Sequence, residues 1–127
     1  MAAVELAGGG VTTESEIQHA IRLALGREPD LVLWRNNVGV AHPAGRPGTP
    51  GRPVRYGLCT GSSDLIGILA PSGRFVALEI KTPQGRATAE QLMFLELVRK
   101  RGGFATIVRS PEDARAALER ARMGECA

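Results

Sequence analysis

Apolar residues recur at helical spacing in three stretches of the chain and crowd into short runs between them. Thr13 to Leu25 is the first helical stretch. Thr13 and Glu16 match the S/T-x-x-E capping box, and Ile17, Ile21, Ala24 and Leu25 follow on one stripe. Gly26 is placed to end it. On a wheel of about 100° per residue, Glu14 falls within the apolar stripe and Glu16 nearly opposite. Glu16 is therefore explained as a cap, whereas Glu14 points with the core-facing side chains. Thr88 to Arg101 is the second helix, opened by Thr88-x-x-Gln91 and ended by Gly102-Gly103. The third is capped by Ser110, has Pro111 at its first position and runs to about Arg122.

Between the helices the pattern shortens to strand length. Leu31 to Arg35 (LVLWR) predicts a buried strand with Trp34 in the core, and Asn36, Asn37 and Gly39 read as turn residues. His42 to Pro53 holds four prolines plus Arg46 and Arg52, which excludes a central strand and predicts a mobile surface loop. Residues 54 to 81 read as the centre of a sheet, with strands at Leu65–Leu69 and Arg74–Lys81. Ala70-Pro71-Ser72-Gly73 between them carries a type I turn signature. Phe104 to Arg109 is a further strand. The order helix, strands, helix, strand, helix predicts an α/β domain with a mixed sheet over residues 12–127, preceded by a flexible tail at 1–11.

Composition narrows the picture modestly. The length of 127 residues suits one domain, and the 43% hydrophobic fraction is that of a globular chain. No apolar run approaches the roughly 18 residues of a membrane span, and MAAVELAGGG does not look like a signal peptide, so the expected setting is intracellular. Cys59 and Cys126 form no CxxC or Cys/His cluster, which leaves no zinc motif and predicts free thiols. Sixteen basic against thirteen acidic residues give +3, compatible with a nucleic-acid partner. Only two of the sixteen are lysines, and one of those is Lys81.

The chemistry concentrates around the predicted hairpin. If positions 70 and 73 pair, so do 64 and 79, and Asp64 and Glu79 face each other with Cα atoms roughly 4.5–5.5 Å apart. Glu79 and Lys81 share one strand face with Phe75 and Ala77, while Val76, Leu78 and Ile80 take the other. Two carboxylates in one cleft oppose each other unless one stays protonated or a cation lies between them. Oxygen ligands suit magnesium or manganese, which can activate water and neutralise phosphate charge, and a nearby lysine adds a compact positive charge.

Asp64 followed by Glu79-Ile80-Lys81 resembles the PD-(D/E)xK nuclease superfamily and, more narrowly, the VRR-NUC (virus-type replication-repair nuclease) domain of stand-alone type. The matching features are Glu14 in a leading helix, Arg35-Asn36-Asn37-x-Gly39, Gly61-Ser62-Ser63-Asp64-Leu65, Glu79-Ile80-Lys81 and Gln91. Ser63 stands where the superfamily often has proline. The resemblance implies a restriction-endonuclease-like mixed sheet flanked by helices and metal-dependent phosphodiester hydrolysis in DNA. Asp64, Glu79 and the Ile80 carbonyl would hold Mg2+ or Mn2+, with Glu14 a further ligand, direct or through water. Lys81 would be the catalytic lysine and Gln91 a supporting polar group. DNA contacts would come from Arg35, Asn36, Asn37, Ser62 and Ser63 within the motifs, and from Arg46, Arg52 and Arg55 of the basic loop. Branched DNA such as a Holliday junction is the expected substrate and a homodimer the expected assembly, through the apolar side of the second or third helix. The setting would be the cytoplasm, prokaryotic or phage-encoded.

Each residue alone has a plainer explanation. Gln91 serves as a cap, Asp64 as a turn residue, Glu79 and Lys81 as an exposed charge pair, Asn36 and Asn37 as turn formers. It is their occurrence together and in order that favours a nuclease. The alternative is a non-catalytic nucleic-acid-binding module on the same fold.

Overall fold

The computed structural model describes residues 12–127, so the tail expected at 1–11 lies outside the described residues. Helix α1 spans Glu14–Leu25, and its capping box is formed in both directions: Glu16 N donates to Thr13 Oγ1 and Thr13 N to a Glu16 carboxylate oxygen. Ile17, Ile21 and Leu25 are buried, as their spacing predicts. The chain then gives β1 (Leu31–Arg35), β2 (Gly39–Ala41), β3 (Val54–Tyr56), β4 (Leu65–Leu69), β5 (Arg74–Ile80), α2 (Ala89–Lys100), β6 (Phe104–Val108) and α3 (Pro111–Arg122). Thr88 and Ser110 cap α2 and α3 as expected.

The main sheet runs β1-β4-β5-β6. Its first three strands are antiparallel and β5–β6 is parallel, which makes the sheet mixed. A parallel pair needs a crossover, and α2 supplies it. Alternation along β5 sends Val76, Leu78 and Ile80 to one face, where they meet α1, α3, Leu65 and Phe104 in the larger core. Ala77 goes to the other face, against Leu95 and Val98 of α2. That face division is the one the sequence implies.

Four expectations need correction. Leu31–Arg35 is an edge strand rather than a buried one, and Trp34 is 50% exposed instead of in the core. Helix α2 packs over β5 and β6 only, so on its side of the sheet Val32, Trp34 and Ile68 stay uncovered. Val54–Tyr56 is not part of the central sheet; it pairs with Gly39–Ala41 in a separate two-stranded ribbon. Gly39 is therefore a strand residue and not a turn residue. Lastly, the β4–β5 connection is not a type I turn. The Ala70–Pro71 peptide is cis, Gly73 has φ +75°, and Gly73 N donates to Leu69 O at 3.0 Å. The register survives this change, because Leu69 pairs with Arg74 and Leu65 with Leu78.

Among the described residues no helix is long and apolar enough to cross a membrane. Cys59 and Cys126 are free, as expected.

Candidate active site

The β4–β5 register brings Asp64, one residue before β4, beside Glu79 near the end of β5. Glu79 is 1% exposed, and Asp64 Oδ2 accepts a hydrogen bond from Ile80 N at 2.8 Å. Lys81 follows just past the strand, where its backbone N–H donates to Val108 O at 3.1 Å and prolongs the parallel pairing with β6. Its ammonium lies 3.9 Å from a carboxylate oxygen of Glu79 and 3.9 Å from one of Glu14. Three elements thus converge: the first residue of α1, the lead-in to β4 and the end of β5. The helix wheel's preference for Glu14 over Glu16 agrees with this placement, since Glu16 is spent on the cap.

The electrostatics show how unusual the pair is. Burial pushes the Glu79 carboxyl up from 4.5 to about 9, and the hydrogen bond and negative charge of Asp64 add to that; Lys81 pulls it back and Glu14 raises it further. Glu79 is therefore neutral at pH 7 as long as no metal ion lies beside it, even with the Lys81 ammonium 3.9 Å away. Its Oε1 is buried without a hydrogen-bond partner, as is Ser63 Oγ. An unpartnered buried carboxylate oxygen next to a second carboxylate is what a divalent cation would satisfy. The Glu79 and Asp64 carboxylates and the Ile80 carbonyl are hard oxygen donors that fit Mg2+ or Mn2+. Among the described residues no three acidic, imidazole or thiol side chains meet at one point. Glu14, with its side chain 47% exposed and turned to Lys81, would then complete the set through water.

Other expected residues divide into surface and interior. Gln91 Oε1 accepts from Thr88 N at 2.9 Å, so its capping role is real. It also lines, with Asn36, Ser62 and Asp64, a cleft of about 390 Å³ at the start of α2. Gly61 has φ +84°, and a Cβ there would lie 2.6 Å from Glu90 O; only glycine lets the segment before Asp64 rest on α2. Arg35, Asn37, Arg46, Arg52 and Arg55 are exposed, with Arg35 donating to Asn37 Oδ1 and Arg55 to Thr60 Oγ1. Asn36, Ser62 and Ser63, by contrast, are buried at 7%, 7% and 0% exposure.

One residue escaped the sequence reading. Arg109 Nη1 donates to Thr82 O at 2.6 Å and to Gly85 O at 2.7 Å, pinning the loop that follows Lys81. No motif or spacing marks it; only the parallel β5–β6 pairing brings the two segments together. Arg109→Ala is expected to lower stability by about 2 kcal/mol, because two charge-assisted bonds to loop carbonyls disappear. Urea unfolding measures this, and an unchanged midpoint would show that the loop is held by other contacts.

A mixed sheet thus carries two facing acids and a lysine at the end of one strand. Comparison with protein families bears on the same residues: residues 51–112 match the model of the VRR-NUC domain, so this part of the chain is similar to that family. The match contains Asp64, Glu79, Lys81 and Gln91, whereas Glu14 and Arg35–Gly39 precede it. No curated protein matches the chain by sequence.

Proposed function

We propose that residues 12–127 act as one restriction-endonuclease-like domain that hydrolyses phosphodiester bonds in DNA with the help of Mg2+ or Mn2+. The observation that carries this reading is the buried Asp64–Glu79 pair with its unpartnered oxygen beside the Lys81 ammonium. When bound, the metal would lower the pKa of water and offset charge on the scissile phosphate. Asp64, Glu79 and the Ile80 carbonyl would hold it, and Glu14 would act through water. Lys81 stabilises the developing negative charge or orients the attacking water, and Gln91 supports the cleft wall.

DNA would lie along the basic segment. From Leu31 to Ser63 there is no acidic residue, and Arg35, Arg46, Arg52 and Arg55 fall within it. The remaining twelve basic residues are outnumbered by all thirteen acidic ones, so the positive balance of the chain comes from this segment. Its exposed arginines, with Asn37, suit phosphate contacts that hold DNA without reading its sequence.

The substrate we favour is branched DNA such as a Holliday junction, cut by a homodimer. Two symmetric cuts need two sites, and two-fold pairing of identical chains provides them. Exposed apolar surface is available for that pairing. The apolar residues of α3 (Ala114, Ala117, Leu118) are turned into the core, but Met93 and Leu97 of α2 and the bare sheet residues Val32, Trp34 and Ile68 are exposed.

Cleavage of single-stranded, duplex, forked and four-way DNA with Mg2+, Mn2+ or chelator tests the reading. Metal-dependent cutting, strongest on junctions, is expected. Binding without cutting under every condition would leave a nucleic-acid-binding module instead. Light scattering tests the assembly, and a mass near 13.5 kDa for the free protein, with no dimer even on junction DNA, would rule out the symmetric mechanism.

A further inference from the structure

Asn36 was expected among the DNA contacts, yet its side chain is turned into the protein and fully engaged. The β1–β4 ladder ends at Arg35 opposite Leu65, and one residue further Asn36 N donates to Asp64 O at 2.8 Å. Its side-chain Nδ2 donates to Ser62 Oγ at 2.7 Å and to Ser63 O at 2.9 Å, while Oδ1 accepts from Leu58 N at 3.0 Å. Ser62 Oγ passes the connection on by donating to Cys59 O at 2.7 Å. An amide offers two donors and an acceptor, and here all are used.

We propose that Asn36 is a positioning residue of the nuclease site, which sets the Asp64 carboxylate through the backbone of residues 58–64 and does not touch DNA. This rests on reading the site as a metal-dependent nuclease. Residues 57–64 belong to no strand or helix, so their backbone polar groups lack a ladder to satisfy them. The Asn36 amide takes that part. It ties the approach to Asp64 onto the rigid end of β1, and Gly61 seats the same stretch on α2. Asp64 Oδ2 is then held on Ile80 N, and its carboxylate stays beside that of Glu79. A ligand held by so short a lead-in depends on that lead-in, because metal sites tolerate little displacement of their donors.

The test compares wild type with Asn36→Asp, which keeps shape and the bond to Leu58 but replaces both donors by an oxygen. Ser62→Ala is a milder second variant that removes one link. For both, Mn2+ is titrated calorimetrically without DNA, DNA affinity is measured in chelator, and cleavage is followed at saturating DNA. We expect about 10- to 100-fold weaker Mn2+ binding and a similar fall in kcat for Asn36→Asp, with smaller losses for Ser62→Ala. DNA affinity and KM should stay at the wild-type values. Weakened DNA affinity with normal kcat at saturation would show that Asn36 grips DNA. Unchanged values throughout would reduce it to a turn former. A wild type that neither binds Mn2+ nor cuts would instead remove the nuclease reading, and this role with it.

Discussion

Glu79→Gln is expected to abolish DNA cleavage and at the same time to stabilise the metal-free protein. Both effects come from one carboxyl. With no cation present, burial and Asp64 hold its pKa at about 9, against 4.5 for an ordinary glutamate. The folded state therefore keeps a proton that the unfolded chain releases above about pH 4.5. A raised pKa means the contribution to stability is fully present below the unfolded value and is lost as pH rises through the folded one. At pH 7 wild type gives up about 3 kcal/mol by this route. Glutamine has no proton to lose, and its amide can still donate to Asp64. Relative to wild type, the variant in chelator should gain stability from about pH 4.5 upward and level off above pH 9. Urea unfolding across that range measures it, and a difference that does not change with pH would sink the account. Added Mn2+ should reverse the order if, as proposed, the wild-type carboxylate holds the ion and the amide does not. Full cleavage by purified Glu79→Gln would remove Glu79 from the site altogether.

The second large effect is expected at Lys81. Its side chain is 8% exposed and stands between Glu79 and Glu14, too deep to serve as an outer grip on DNA. Lys81→Ala should lower kcat by roughly 10²–10³, the range found when one charge-stabilising group is deleted, with little change in DNA affinity. The exposed arginines are expected to supply most of that affinity, which should fall as salt rises. Lys81 also pulls the Glu79 carboxyl down, so its loss should shift metal binding to higher pH. Lys81→Arg should not restore turnover, since a planar fork does not replace a compact ammonium among two carboxylates. A variant that binds DNA weakly but turns over normally once saturated would show that Lys81 only contacts the substrate.

What was legible in advance was local. Capping boxes join residues three apart, so Thr13 and Thr88 announce where α1 and α2 begin. The β4–β5 hairpin has a short connection, so the positions of its strands alone put Asp64 opposite Glu79, even though the turn itself has a different geometry. Alternation along β5 likewise assigned Glu79 and Lys81 to the face of Ala77. Periodicity says which way a side chain points, but not whether another element covers it. That is why Trp34 was placed in the core and is half exposed: α2 stops over β5 and β6 and leaves β1 bare. It is also why Asn36 passed for a turn or DNA-binding residue while its amide binds a segment more than twenty positions away.

By itself, then, the sequence determined the helices and their caps, the hairpin register and the acid–acid–lysine grouping, because each depends on contacts between near neighbours along the chain. Only the tertiary structure decided which strand lies at the edge, that residues 39–41 and 54–56 form a ribbon apart from the sheet, and that Arg109 pins the loop after Lys81. It also decided that Glu14 reaches Lys81 across 67 positions of chain. Those arrangements join distant segments, and they are set by which apolar faces find cover when the whole chain packs.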